Sequence, residues 1–148
     1  MARAQMRLTA DERAVARVTA WIEHFCKKHR LPQTVSNVMS LSLDEIVSNI
    51  VVHGYERQPG KLSIALHYDS RAFSVVIEDG GKPFDPSQAV IASTGDTLAS
   101  RREGGLGLLL VKNLMDDITY QRTGEINRLK LVKRLRQRAR SKTDGRRQ

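Results

Sequence analysis

The 148-residue chain has one cysteine, Cys26, which excludes a disulfide framework and any zinc site built from several thiolates. Set in an apolar helical pattern, Cys26 is expected to be a buried packing thiol. No apolar run approaches the roughly 20 residues that cross a bilayer, and the basic start MARAQMR lacks the apolar centre of a secretory signal. No membrane is expected, and the chain is assigned to the cytoplasm. His24, His29 and His67 lack metal-ligand spacing. Aromatic residues make up only 5% of the chain, and no internal repeat or linker interrupts its body. The body is also short of net charge. Of the total of +9, the run from Lys133 to Gln148 holds +7, leaving about +2 for everything before it. Such a run reads as a solvated tail with weak nucleic-acid affinity as a by-product. We therefore expect one domain over residues 1–135 and a basic, disordered tail over 136–148.

What is present follows helical and strand periods. After MRL, a candidate edge strand, Thr9-Ala-Asp-Glu12 has the form of a capping box, and Val15, Val18, Ile22 and Phe25 follow at helical spacing to near His29. Leu31-Pro32 interrupts, and a second helix runs from about Gln33 to His53, stopping at Gly54. Leu62, Ile64, Leu66 and Tyr68 alternate, as do Phe73, Val75 and Ile77, with a turn at Asp69-Ser70-Arg71. Ser87 to Glu103 has no clear period and reads as a functional lid. A third helix, LLLVKNLMDD, and a last hairpin, Ile118 to Gln121 and Ile126 to Leu131, close the domain. This order predicts an α+β two-layer sandwich: a mixed, mainly antiparallel sheet covered on one face by three helices.

Three stretches carry candidate chemistry. In the second helix, Glu45 and Asn49 lie about 40° apart on one face, away from Met39, Leu43, Ile46, Val47 and Ile50, while Ser40, Asp44 and Ser48 are left for water. The pair is either a half-buried carboxylate satisfied by its neighbours or a site. Asp79, ending an apolar strand before Gly80-Gly81, is either a turn residue or an acceptor for the amino group of a base, with Gly81 leaving room for the ring. Gly104-Gly105-Leu106-Gly107-Leu108 opens a helix, which suits close packing or phosphate binding by backbone amides. It is neither a Walker loop nor the dinucleotide fingerprint, which would need glycine where Leu110 stands.

Glu45-x-x-x-Asn49, then Asp79-x-Gly81, then Gly105-x-Gly107 is an ordered set that resembles the GHKL ATPase superfamily, the Bergerat nucleotide fold, over roughly Thr9 to Leu135. SLDEIVSNIVVHGYE, IEDGGKPFDP and REGGLGLLLVKNLMDDITYQR resemble its anti-sigma-factor serine/threonine kinase branch. The resemblance implies ATP and Mg²⁺ as cofactors, with Asn49 as the metal ligand, Asp79 on the adenine amino group and Gly81 beside the base. It further implies that Gly105, Gly107 and Leu108 hold phosphates and that Glu45 is the general base. Physics agrees: an amide oxygen is a hard neutral ligand suited to Mg²⁺, and phosphoryl transfer needs positioning and charge neutralisation above all. The implied function is phosphorylation of a small anti-sigma antagonist protein and binding of a sigma factor, and the resemblance also suggests a homodimer through the N-terminal strand and helix edge. The alternatives are a nucleotide-gated binding module without catalysis, or a regulator acting on nucleic acid through the basic tail. Arg101 and Arg102 stand either as γ-phosphate partners or as a solvated basic pair.

Overall fold

A computed structural model describes residues 1–88 and 105–136. Alternation in the strands builds a five-stranded sheet from β1 (Ala2–Thr9), β2 (Lys61–Tyr68), β3 (Ala72–Asp79), β4 (Asp117–Thr123) and β5 (Ile126–Arg134), in the order β1-β2-β3-β5-β4. Leu62, Ile64, Leu66, Phe73, Val75, Ile77, Leu129 and Leu131 are buried, whereas the residues between them in β2 and β3 are half-exposed, so one face carries the core. That face is covered by α1 (Ala14–Lys28), α2 (Gln33–Asn49) and α3 (Gly105–Leu114), with α2 packed between the other two. The expected α+β sandwich is the observed architecture, and its sheet is antiparallel in all four pairings. No parallel pair forms among the described strands, for a topological reason. Two helices between β1 and β2 return the chain to the end it left, and β5 inserts between β3 and β4, which run in the same direction but are not neighbours.

Several local expectations shift. β1 is eight residues long rather than three, and it pairs along its whole length with β2. Thr9 belongs to that ladder, opposite Lys61, so it does not cap α1. The helix starts at Ala14 without a side-chain cap, and Asp11 instead accepts from the Arg13 amide at 2.9 Å. Ser40, expected in water, is buried, and its hydroxyl has no partner among the described residues. Asp44 is tied to α1 by the Thr19 hydroxyl, because α1 packs over this side of α2. The α-helical pattern of α2 ends at Asn49, and a π-helical turn, Ile50–Gly54, completes the path, with the Tyr55 amide bonding to the Ile50 carbonyl at 2.8 Å. The continuous Gln33–Gly54 path is 22 residues, long and apolar enough by length and composition to cross a membrane, contrary to the reading of the sequence. Here it is the central core helix, with Met39, Leu43 and Val47 fully buried. Cys26 is buried as expected, and burial pushes its thiol pKa up. The expected lid falls mostly outside the described residues, as do Arg101, Arg102 and all but the first residue of the expected tail.

Candidate nucleotide-binding site

The strand register that pairs Ile77 with Leu129 and Val75 with Leu131 in the core also sets Asp79 opposite Asn127 at the sheet's end. There the chain leaves β3 through Gly80 and Gly81 and passes the π-helical turn. Gly81 must be glycine: a Cβ would stand 2.7 Å from the Gly54 carbonyl carbon and 2.8 Å from its oxygen, and backbone cannot yield. The room it leaves is filled by Gly54, and the Lys82 amide bonds to the Gly54 carbonyl at 2.9 Å. Two distant segments, the end of the α2 path and the end of β3, are thus held together beneath a cavity.

That cavity measures about 370 Å³. Ile46, Ile50, Ile77, Leu108 and Leu129 form its apolar wall, and Asn49, Asp79, Tyr120 and Asn127 place polar groups in it. Lys82, Pro83 and half-exposed Phe84 also line it, as does His53 from the π-helical turn. A mostly apolar, concave pocket with a few convergent polar groups is the form of a small-ligand site.

At one end the polar groups are already satisfied. Asp79, 8% exposed, accepts on Oδ1 from the Gly81 amide and from Asn127 Nδ2, both at 3.0 Å. The Tyr55 hydroxyl donates to the Lys61 carbonyl at 2.7 Å and accepts from the Gly80 amide at 2.6 Å, bracing the same turn. Its pKa is raised, by burial first and by the neighbouring Asp79 charge, against the Gly80 hydrogen bond, so the hydroxyl keeps the proton it donates.

The other end is unfinished. Asn49 sits on the last α-helical residue before the π-helical turn, and its buried Nδ2 has no partner among the described residues. An orphaned buried amide costs on the order of 1–3 kcal/mol, which a ligand would relieve. Because amide oxygen and nitrogen are interchangeable in assignment, the group can equally present its oxygen. No cluster of three His, Cys, Asp or Glu exists among the described residues, so a metal here would be held by Asn49 together with phosphates and water, a donor set that fits Mg²⁺. Glu45, one turn earlier, does not line the cavity. Its carboxylate lies against Gly107 in the first turn of α3, in the space a Cβ would take. Gly105 begins α3, whose amino end favours anions, and Leu108 lines the cavity.

The structure therefore gathers Asn49, Asp79 and Leu108 around one cavity, joins Glu45 to Gly107 beside it, and sets Gly81 behind it as a backbone contact. Sequence reading missed Asn127, which bonds Asp79 from β5, and Tyr120 and Arg122, which hold Asn127 from β4; they sat in an ordinary hairpin pattern with no local mark. Gly54 was legible only as a helix stop.

The model of the histidine kinase-like ATPase domain matches residues 8–133. The serine/threonine-protein kinase BtrW of Bordetella bronchiseptica is 31% identical over 113 residues, covering 76% of this chain and 80% of that protein. The serine-protein kinases RsbW of Staphylococcus epidermidis and Staphylococcus aureus are each 30% identical over 102 residues, covering 64% of this chain and 64% of theirs. The chain thus spans just under two thirds of the staphylococcal proteins. With the Asn49–Asp79 cavity and the glycine-led helix in the expected order, the chain belongs to the histidine kinase-like ATPase domain family, in the branch that holds the BtrW and RsbW serine kinases.

Proposed function

We propose that this chain is an ATP-dependent serine/threonine protein kinase that phosphorylates a small anti-sigma antagonist protein, binds a sigma factor, and works in the cytoplasm. The observation that carries the reading is the division of labour along α2. Asn49 brings an unpartnered amide to the cavity, and one turn away Glu45 brings a carboxylate to the amino end of α3.

In this reading the adenine lies at the Asp79 end, its amino group donating to the carboxylate, and the phosphates lie toward Gly105 and Gly107. Asn49 would hold Mg²⁺, which supplies charge neutralisation at the phosphates. Glu45 accepts the proton of the acceptor hydroxyl as its oxygen attacks the γ-phosphorus; ADP leaves, and the phosphate stays on the acceptor. The added charge then weakens the complex with the antagonist. The outer edge of β1, whose ladder is paired on one side only, is the surface we assign to a second copy.

The test is incubation with labelled ATP and the candidate antagonist. Asn49→Ala should lose Mg²⁺-dependent ATP binding, whereas Glu45→Gln should bind ATP and transfer nothing. Intact ATP binding with no transfer by the unsubstituted chain would leave a nucleotide-gated binding module instead.

A further inference from the structure

Resting on the nucleotide reading above, we propose that Asn127, itself held by Tyr120 and Arg122, is the positioning residue that sets base selectivity by fixing which oxygen of Asp79 faces the cavity. Asn127 is 5% exposed. Its Nδ2 donates toward Asp79 Oδ1 at 3.0 Å, the Gly81 carbonyl at 3.0 Å and the Lys82 carbonyl at 3.1 Å. Its Oδ1 accepts from the Tyr120 hydroxyl at 2.6 Å and Arg122 Nη1 at 2.8 Å, and the same Arg122 nitrogen reaches the Gly81 carbonyl at 3.0 Å. The amide cannot be reversed, because its oxygen would then face three acceptor oxygens and its nitrogen would face a guanidinium that only donates.

Two consequences follow from this saturation. Two amide protons already serve three acceptors, and two donors already fill the oxygen, so Asn127 has no capacity left for a base although it lines the cavity. It also occupies Asp79 Oδ1 together with the Gly81 amide, which leaves Oδ2 for the cavity. A fixed acceptor suits a purine that presents an exocyclic amino group and opposes one that presents a carbonyl at the same position. If Asp79 could rotate, it would retreat from the carbonyl and bond the amino group less well, and selectivity would fall. Asn127 therefore acts through Asp79 without touching the base. The bond from the Tyr120 hydroxyl makes β4 part of the device.

The experiment is calorimetric titration of the full chain with Mg²⁺-ATP and with Mg²⁺-GTP, alongside Asn127→Ala and Tyr120→Phe, each with its melting temperature. The unsubstituted chain should prefer ATP. Asn127→Ala should weaken ATP by about tenfold and leave GTP within about twofold, so the ratio collapses by about the same factor. Tyr120→Phe, which keeps the ring and one donor to Asn127, should lower the ratio by about threefold. A purely structural role would weaken both nucleotides in parallel; an unchanged ratio in folded variants overturns the proposal while the nucleotide site stands. Failure of the unsubstituted chain to bind ATP removes the nucleotide reading and this proposal with it. If Asn127→Ala does not fold, the Tyr120→Phe ratio decides.

Discussion

The two ends of the cavity are built in opposite ways. Around Asp79, groups from β3, β4, β5 and the end of the α2 path satisfy one another, through Asn127, Tyr120, Gly81, Tyr55 and Gly54. Around Asn49, a buried amide has no partner among the described residues, and a carboxylate rests against a glycine at a helix start. In the proposed reading, the contrast matches what each end would do. A base is recognised by a rigid edge whose donors and acceptors are pre-set, whereas phosphates, a metal and an incoming hydroxyl bring their own charge and hydrogen bonds. On that proposal, a site satisfied at one end and unsatisfied at the other would separate binding from transfer.

Substitutions at the open end probe chemistry. Glu45→Gln should reduce phosphotransfer by about 10²-fold or more, the usual range for loss of a general base, with ATP affinity within about twofold. Retained transfer would remove Glu45 from the chemistry and the contrast with it. Gly107→Ala tests the same contact from α3. The new Cβ competes with the end of a flexible side chain, so Glu45 swings aside at little cost in stability, and transfer should fall by about tenfold in a kinase assay while the melting temperature holds.

Substitutions at the built end should cost stability first. Gly81→Ala forces a Cβ against the Gly54 backbone, and chemical denaturation should report a loss of about 1–3 kcal/mol, with ATP binding lost in proportion to any shift of the turn. Asn49→Ala should behave oppositely. Removing an orphaned amide should leave the ligand-free chain as stable or up to about 1 kcal/mol more stable, while the thermal shift produced by Mg²⁺-ATP disappears. Equal stability losses at Gly81 and Asn49 would erase the distinction between the two ends.

The smallest effect lies outside the site and serves as a reference for acid titrations. Asp69 Oδ1 accepts from the Arg71 amide at 2.7 Å and the Ala72 amide at 3.0 Å, and these bonds lower its pKa below 3.8. A depressed folded value means that its contribution is present above the ordinary carboxylate range and is lost as pH falls through the lower folded value. Asp69→Asn should flatten that part of the melting-temperature profile below about pH 4 and leave nucleotide binding unchanged.

Much of this was legible from the residues. Helical spacing located α1 and α2, alternation located β2 and β3, and Asp69-Ser70-Arg71 located their turn, because each signal is complete within about ten residues. The start of α1 was misread because Thr9 suits both a cap and a strand end, and the choice was made by its pairing partner Lys61, far along the chain. Ser40 was misread for a related reason: a polar stripe faces water only if no other helix covers it, and α1 does.

The sequence by itself determined the periods, the order of Asn49, Asp79 and Gly107, and the family to which that order belongs. Tertiary structure alone decided that β5 lies between β3 and β4, that Asn127 meets Asp79 across 48 positions, that Gly81 makes room for Gly54, and that Glu45 rests on Gly107. Periodicity is a local property that neighbouring residues enforce. Partnership across a sheet depends on the register of the whole core, and no short stretch of chain contains it.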